Sequence, residues 1–215
     1  MDSTVKRTIA VIVIILVLGV AIYGSYLPLR KAEIYIDTLQ ALQTPATAPT
    51  SLQDLETRVS VPLNYPSPIG QEELVRNFAN SVLSFVQEPG IDATSTSELI
   101  TYLNSYYDPI LNAGRGMSFG QDLYLEGAIN EVAFAHVGNP MYLIAAQNYY
   151  KEAQADGPNR PQALYGLFDV YSEEGNVTGT VAVADTILAI WPTDTTIGPA
   201  LQKFLQEVST TPARG

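Results

Sequence analysis

The chain has 215 residues, of which 47% are hydrophobic and 15% are charged, and its net charge is −11. After residue 43 it carries 19 acidic and 7 basic residues, a balance that disfavours nucleic acid as a partner because nucleic-acid affinity depends on Lys and Arg. The sequence contains no cysteine and one histidine, which excludes disulfides, thiolate metal sites and cysteine nucleophiles.

The first predicted element is a transmembrane helix over residues 8–29, which contain no charged side chain. Its 22 residues, at about 1.5 Å rise per residue, span a hydrocarbon layer of ~30 Å. Tyr23 and Tyr26 fall near one end, where amphipathic rings favour the membrane interface. We therefore expect residues 8–29 to bind the lipid bilayer and residues 1–7 to form a short N-terminus.

A cleaved signal peptide is the main alternative to a retained anchor. Signal peptides have a shorter apolar stretch of ~7–15 residues and small residues at the cleavage site, whereas residues 26–29 read Tyr-Leu-Pro-Leu. A type IV pilin also begins with an apolar helix, but this sequence lacks the acidic residue that pilins carry a few positions into that helix. A retained anchor is the favoured interpretation.

Membrane orientation is indicated only by the charges on the two sides of the span. Lys6 and Arg7 precede it, and Arg30 and Lys31 follow it, so the positive-inside rule is nearly balanced. The terminal amine favours a cytoplasmic N-terminus. The expectation is a single-pass membrane protein with an extracytoplasmic C-terminal domain.

Beyond the span, residues 30–43 are expected to continue as a juxtamembrane helix, because their apolar residues recur at helical spacing. Two prolines among small residues in 44–50 then predict a break. The linker extends over 44–70 and contains a short helix that starts after Ser51. Residues 61–70 are expected to form a loop.

Residues 71–208 predict a helical domain, and 209–215 a disordered tail. Ser95 and Glu98 have the spacing of a capping box, which predicts a helix start at Ser95. The glycine-rich segment 114–120 follows no strand and lacks the Lys-Ser/Thr pair of a phosphate-binding loop. We expect it to connect two helices.

An internal repeat lies in the second half of the chain. Pro158 and Pro192 are 34 residues apart, and each ends a pair of predicted helices whose turns lie at 138–140 and 174–176. This spacing resembles the tetratricopeptide repeat over residues 127–192. The resemblance implies antiparallel helix pairs stacked as a short solenoid that binds other proteins.

The sequence departs from the tetratricopeptide pattern at three positions. Asn130 replaces an expected aromatic residue, Phe168 an expected glycine and Thr180 an expected alanine. Because at least about three repeats are normally needed for a stable stack, residues 71–114 are expected to supply a divergent third unit and residues 200–208 a closing helix.

A weaker resemblance is carried by residues 68–73 and 159–162. These stretches look like the repeat-bearing tails of bacterial O-antigen ligase-like membrane proteins, in which a last membrane helix leads into such repeats. The resemblance implies a role in envelope glycan metabolism, although the ligase's multi-spanning membrane core has no counterpart here.

Candidate catalytic side chains are few. His136 is the single histidine, and a structural role for it outweighs a ligand or general-base role. The adjacent pairs Glu72-Glu73 and Glu173-Glu174 would point about 100° apart on a helix, which is typical of capping and solubility. We therefore expect no catalytic, metal-binding or cofactor-binding residue, and no enzymatic activity.

Tyrosines are the more informative candidates, because many of them fall in the helical domain. Some must fill the core, but amphipathic rings also make good peptide contacts. Tyr142, Tyr149 and Tyr165 are the predicted partner-binding positions in an inner groove.

The sequence thus predicts an all-α protein with a single N-terminal transmembrane helix followed by antiparallel helix pairs stacked as a short tetratricopeptide-like solenoid. The leading functional hypothesis is a membrane-anchored scaffold for protein–protein interaction in the cell envelope. An accessory subunit of an envelope glycan-processing system and a self-assembling surface-filament subunit are the alternatives. The partner is not identified by the sequence.

Overall fold

The computed structural model describes residues 3–88, 90–116 and 118–210, which form nine helices and no strand. The helices are α1 (Ser3–Gln43), α2 (Leu52–Asn64), α3 (Gln71–Val86), α4 (Ala93–Asn112), α5 (Phe119–Val137), α6 (Pro140–Asp156), α7 (Pro161–Glu173), α8 (Val177–Ile190) and α9 (Ile197–Thr210). The predicted all-α class is confirmed. Of the predicted tail, residues 209 and 210 belong to α9, and residues 211–215 lie outside the described residues.

Helix α1 is long and apolar enough to span a membrane. Its most apolar window of 18 residues has a mean hydropathy of 2.6, and none of that window is buried. Within the helix, Ile22–Tyr26 form a wider π-helical turn. Side chains such as Leu16 and Val20 are 62% and 72% exposed, so most of their surface is left uncovered by the described residues.

The helix boundaries differ from the sequence expectation in two places. Helix α2 continues to Asn64, because the buried Pro62 is accommodated in the last turn, where a missing N–H costs a single helical hydrogen bond. Helix α4 starts at Ala93, so the capping box expected at Ser95 is wrong. Asp92 is the N-cap: its Oδ1 accepts hydrogen bonds from the N–H groups of Thr94 at 2.9 Å and Ser95 at 3.0 Å.

The physical reason for the second difference is that Asp caps helices as well as Ser does. Its carboxylate also interacts favourably with the positive end of the helix dipole. The hydrogen bonds from Ser95 and Thr94 lower the pKa of Asp92. Asp92 is therefore the stronger of the two capping candidates.

The chain divides into two compact units. The anchor unit comprises residues 1–78 and 101–107, and the hairpin unit comprises residues 79–100 and 108–215. In the anchor unit, the C-terminal part of α1 packs against α2. Tyr102 closes this unit by donating a hydrogen bond from its hydroxyl to the carbonyl of Glu56 at 2.9 Å.

The hairpin unit consists mainly of successive helical hairpins. Helix α5 packs on α6, α7 on α8, and α6 and α5 both on α7, while α9 closes the end against α8. Gly138 ends α5 in the left-handed conformation (φ 70°), and Asn139 caps α6 by accepting from the N–H of Met141. Gly175 (φ 67°) and Asn176 repeat this arrangement before α8. The predicted stacking of helical hairpins is confirmed.

Close helix approach in this unit depends on small residues at the contacts. Ala146 on α6 and Ala184 on α8 are both fully buried. They belong to one continuous core, whose members are Leu143, Ala146, Tyr150, Leu164, Leu167, Phe168, Val170, Val183, Ala184, Ile187 and Ile197.

Candidate functional site

A pocket of about 420 Å³ opens in the hairpin unit where α5, α6 and α7 meet. Its volume falls in the ~300–1,000 Å³ range of ligand-binding pockets. The wall combines apolar surface with polar side chains. The lining residues are Gly120, Gln121, Tyr124, Ala153, Arg160, Gln162 and Ala163.

The polar rim of the pocket is formed around Arg160. Its guanidinium lies 3.5 Å from the carboxylate of Asp156, the last residue of α6, and the Arg160 side chain is 46% exposed. Gly120 allows α5 to start directly against this pair, because a Cβ there would overlap both side chains. Arg160 is therefore positioned by a local ion pair but still offers N–H donors to the pocket.

A buried tyrosine supports the pocket from beneath. The ring of Tyr124 lies 5.9 Å from the ring of Tyr150, measured between centroids, at an interplanar angle of 35°. Tyr150 is 1% exposed, and its hydroxyl donates a 2.6 Å hydrogen bond to Oε2 of Glu131. Tyr124 is half-buried, so one part of it packs on the core while the rest borders the pocket.

Tyr150 occupies its position because two glycines make room for its ring. A Cβ at Gly127 on α5 would lie 2.5 Å from a ring carbon of Tyr150, and a Cβ at Gly166 on α7 would overlap the same ring. The ring from α6 is thus held between α5 and α7. This three-helix contact fixes the relative positions of the helices that line the pocket.

Burial changes the acid–base properties of this hydrogen-bonded pair. Burial, followed by the charge of Glu131, raises the pKa of Tyr150. Burial raises the pKa of Glu131 to about 7, against the opposing effect of the hydrogen bond from Tyr150. The pKa of Tyr124 is also raised, chiefly by burial. Both tyrosines therefore remain neutral hydrogen-bond donors at physiological pH.

A second unusual group lies on the same helix as Tyr124. Glu126 is fully buried, and neither oxygen of its carboxyl group has a hydrogen-bond partner among the described residues. Burial, with the nearby charges of Asp108 and Asp122, raises its pKa to about 8. Glu126 and Asp108 in turn add to burial in raising the pKa of Tyr149 to about 12. Glu126 is therefore a protonated, neutral acid in the folded protein at pH 7.

The three tyrosines predicted as partner-binding residues are not among those that line the pocket. Tyr149 is half-buried and packs against a small core cluster around Ala153. Tyr165 donates a hydrogen bond to the side chain of Asp194, which raises the pKa of Tyr165 to about 12. Tyr142 is half-buried in the first turn of α6. Their binding role stays a prediction.

Two features of the sequence point to the pocket, and neither involves the predicted binding residues Tyr142, Tyr149 and Tyr165. Arg160 and Gln162 belong to the stretch 159–162, which stood out only for its resemblance to ligase tails. Tyr124 precedes Gly127 by three residues, so both lie on one face of α5. A glycine on that face permits close packing, and this is the feature that indicates where another helix approaches.

The other candidates for metal binding or acid–base chemistry are His136 and two acidic pairs. Within the described residues, no group of three His, Asp or Glu side chains is placed to hold a metal ion. His136 is exposed at the end of α5. The pairs Glu72-Glu73 and Glu173-Glu174 lie at helix ends.

The chain matches no protein-family model, and comparisons with curated proteins and with solved structures find no significant similarity. The resemblances to the tetratricopeptide repeat and to the ligase tails therefore rest on the sequence pattern alone.

Proposed function

We propose that this protein is a membrane-anchored helical scaffold that recruits another protein through the pocket of its hairpin unit. The observation that carries the proposal is the pocket itself, in which an amphipathic tyrosine and the donor-rich Arg160 stand beside apolar surface. Aromatic and arginine side chains dominate the energy of protein interfaces. The tetratricopeptide-like spacing of the hairpins favours the same function.

Membrane attachment is the second part of the proposal. Helix α1 supplies an uncovered apolar stretch of sufficient length, and Arg30 and Lys31 follow its charge-free residues 8–29. We assign the N-terminus to the cytoplasmic side and the hairpin unit to the extracytoplasmic side, with Lys6 and Arg7 as the positive charges on the cytoplasmic flank of the span. The partner is accordingly an envelope protein.

The chemistry of the pocket indicates what part of a partner it accepts. Arg160 supplies guanidinium donors, and Gln121 and Gln162 supply amide groups that both donate and accept. Ala153 and Ala163 leave an apolar floor between them. A partner side chain with an apolar stem and a carboxylate or amide end would satisfy both parts of this wall.

Site-specific photo-crosslinking tests the proposal in membranes of cells that express the full chain. A photoreactive phenylalanine analogue at Gln162, which is exposed and lines the pocket, is expected to give a discrete adduct with one partner. The matched control is the same analogue at Gln202, an exposed glutamine on α9. Equal adducts at both positions, or none at Gln162 in a folded protein, would count against the pocket.

Tyr124→Ala is expected to weaken the crosslink at Gln162 by about tenfold. Loss of an aromatic contact at an interface commonly costs about 1–2 kcal/mol, and 1.4 kcal/mol corresponds to a factor of ten. Tyr142→Ala serves as the comparison, because Tyr142 is half-buried on α6 and does not line the pocket. If only Tyr142→Ala reduced the adduct, the groove predicted from sequence would be favoured over the pocket.

A further inference from the structure

The loop between α2 and α3 has a composition unusual for a surface loop. Residues 65–70 read Tyr-Pro-Ser-Pro-Ile-Gly, and no charged side chain occurs between Arg58 and Glu72. Ile69 is 61% exposed at the end of this segment. We refer to residues 65–70 as the proline loop.

One lysine of α1 forms hydrogen bonds at both ends of the proline loop. Lys31 is only 3% exposed, and its Nζ donates hydrogen bonds to the carbonyl of Tyr65 at 3.0 Å and to the side chain of Gln71. Burial lowers the pKa of Lys31. Lys31 is also the second charged residue after the charge-free stretch 8–29, so the loop is held at the end of the predicted membrane span.

From this attachment the loop extends along α1 toward the N-terminus. Pro68 borders a shallow apolar groove on α1. The α1 residues that form this groove are Ile15, Leu16, Gly19, Val20, Tyr23 and Gly24. At about 1.5 Å rise per residue, Gly24 lies roughly 10 Å below Lys31 along the helix axis. The proline loop therefore lies beside charge-free residues of α1 and not beyond them.

Part of the polar backbone of the proline loop needs no water as a partner. Pro66 and Pro68 have no N–H group that would need a partner. The hydroxyl of Ser67 donates to the carbonyl of Ile69 at 2.7 Å and accepts from the Ile69 N–H at 3.4 Å. In hydrocarbon, backbone polar groups must find partners within the protein, and these bonds satisfy the N–H and the carbonyl of the exposed Ile69.

We propose that the proline loop inserts into the bilayer beside α1, with Pro68 and Ile69 among the lipid acyl chains near the headgroup region. The ligand of this surface is lipid, and the groove next to Pro68 is filled by acyl chains. The proposal rests on the membrane anchor proposed above and adds a second point of membrane contact. Two contacts fix how the anchor unit is oriented on the membrane, which one helix alone does not do.

The absence of cysteine makes this proposal directly testable with single-cysteine variants of the full chain. Ile69→Cys, Leu16→Cys and Gln53→Cys are spin-labelled and placed in vesicles of phosphatidylcholine and phosphatidylglycerol. Leu16 reports the span, and Gln53 is an exposed residue of α2 in the same unit. Collision with oxygen, which enters lipid, is compared with collision with a water-soluble nickel chelate.

The label at position 69 is expected to resemble that at position 16, with nickel collisions at least several-fold fewer than at position 53. A label on Pro68→Cys is expected to behave in the same way. Agreement between the two positions would show that the result does not depend on one substitution. The loop proposal would be overturned, and the anchor left intact, if the labels at positions 68 and 69 collided with nickel as often as the label at position 53 while the label at position 16 did not. If the label at position 16 also collided with nickel that often, both the anchor and the loop proposal would be overturned.

Discussion

Tyr150→Ala is expected to destabilise the hairpin unit by about 3–5 kcal/mol, the cost typical of removing a large buried aromatic side chain. The ring fills the space between α5 and α7, and its loss also leaves Glu131 without its 2.6 Å hydrogen bond. For a chain of this size the loss corresponds to a fall in melting temperature of about 10 °C. Thermal unfolding of the full chain in detergent, followed by circular dichroism, measures it.

Tyr150→Phe separates packing from hydrogen bonding, because it keeps the ring and removes the hydroxyl. Its expected cost is about 1–2 kcal/mol. Two glycines supply a second comparison. Gly166→Ala is expected to destabilise the unit through its clash with the Tyr150 ring. Gly198→Ala is expected to stabilise α9 slightly, because among the described residues no atom beyond its chain neighbours and its own helix backbone lies within 4 Å of the added Cβ. A Tyr150→Ala variant as stable as the parent would show that the three-helix contact does not hold the unit together.

Stability of the hairpin unit is expected to fall as the pH rises from about 5 to about 8. Glu126 has an ordinary pKa of 4.5 and a folded-state pKa of about 8, so the folded state binds its proton more tightly than the unfolded state does. The resulting stabilisation is complete below the unfolded pKa and is lost as pH rises through the folded pKa. At about 1.4 kcal/mol per pKa unit, the change amounts to at most about 5 kcal/mol.

Glu126→Gln is expected to remove most of this pH dependence and to be more stable than the parent protein at about pH 8, because a neutral amide replaces a carboxyl group that is costly to ionise. Chemical denaturation of the full chain in detergent at several pH values measures it. Burial also raises the pKa of Glu131, to about 7, so a smaller fall in stability with rising pH is expected to remain in this variant. Glu98→Gln on the exposed face of α4 is the control. Equal slopes in the parent and in Glu126→Gln would contradict the buried neutral acid.

Periodicity and turn residues were sufficient to predict the helical class and the order of the hairpins. Gly138 and Gly175 marked two turns because their positive φ angles suit glycine. The start of α4 was misplaced because Asp92 and Ser95 are both good N-caps, and only the geometry of the finished helix distinguishes them. On α3, Phe85 lies at helical spacing from the buried Phe78 and Val82 but is 38% exposed, whereas the neighbouring Val86 is fully buried.

The candidate site was harder to predict from the sequence, for a physical reason. Helical spacing assigns Tyr124, Tyr149 and Tyr150 to positions on their helices. It does not predict which face of each helix packs against a third helix. The pairing of Tyr150 with Gly127 and Gly166 needs three helices to meet, and the residues are distant in sequence. Glu126 was visible as an acid within an apolar run of α5, a pattern that indicates a buried charge or a protonated acid.

Carbonate extraction of membranes, combined with the intact mass of the chain, tests most directly whether residues 8–29 anchor the protein. The expected result is a chain that stays in the membrane pellet at alkaline pH and has its full mass of 23.3 kDa, because an inserted apolar helix is not released by carbonate. Ile15→Asp together with Leu18→Lys, which place charges in the span, should move the chain to the soluble fraction. A soluble parent chain, or one shortened by removal of its N-terminal helix, would contradict the anchor and favour a cleaved signal peptide.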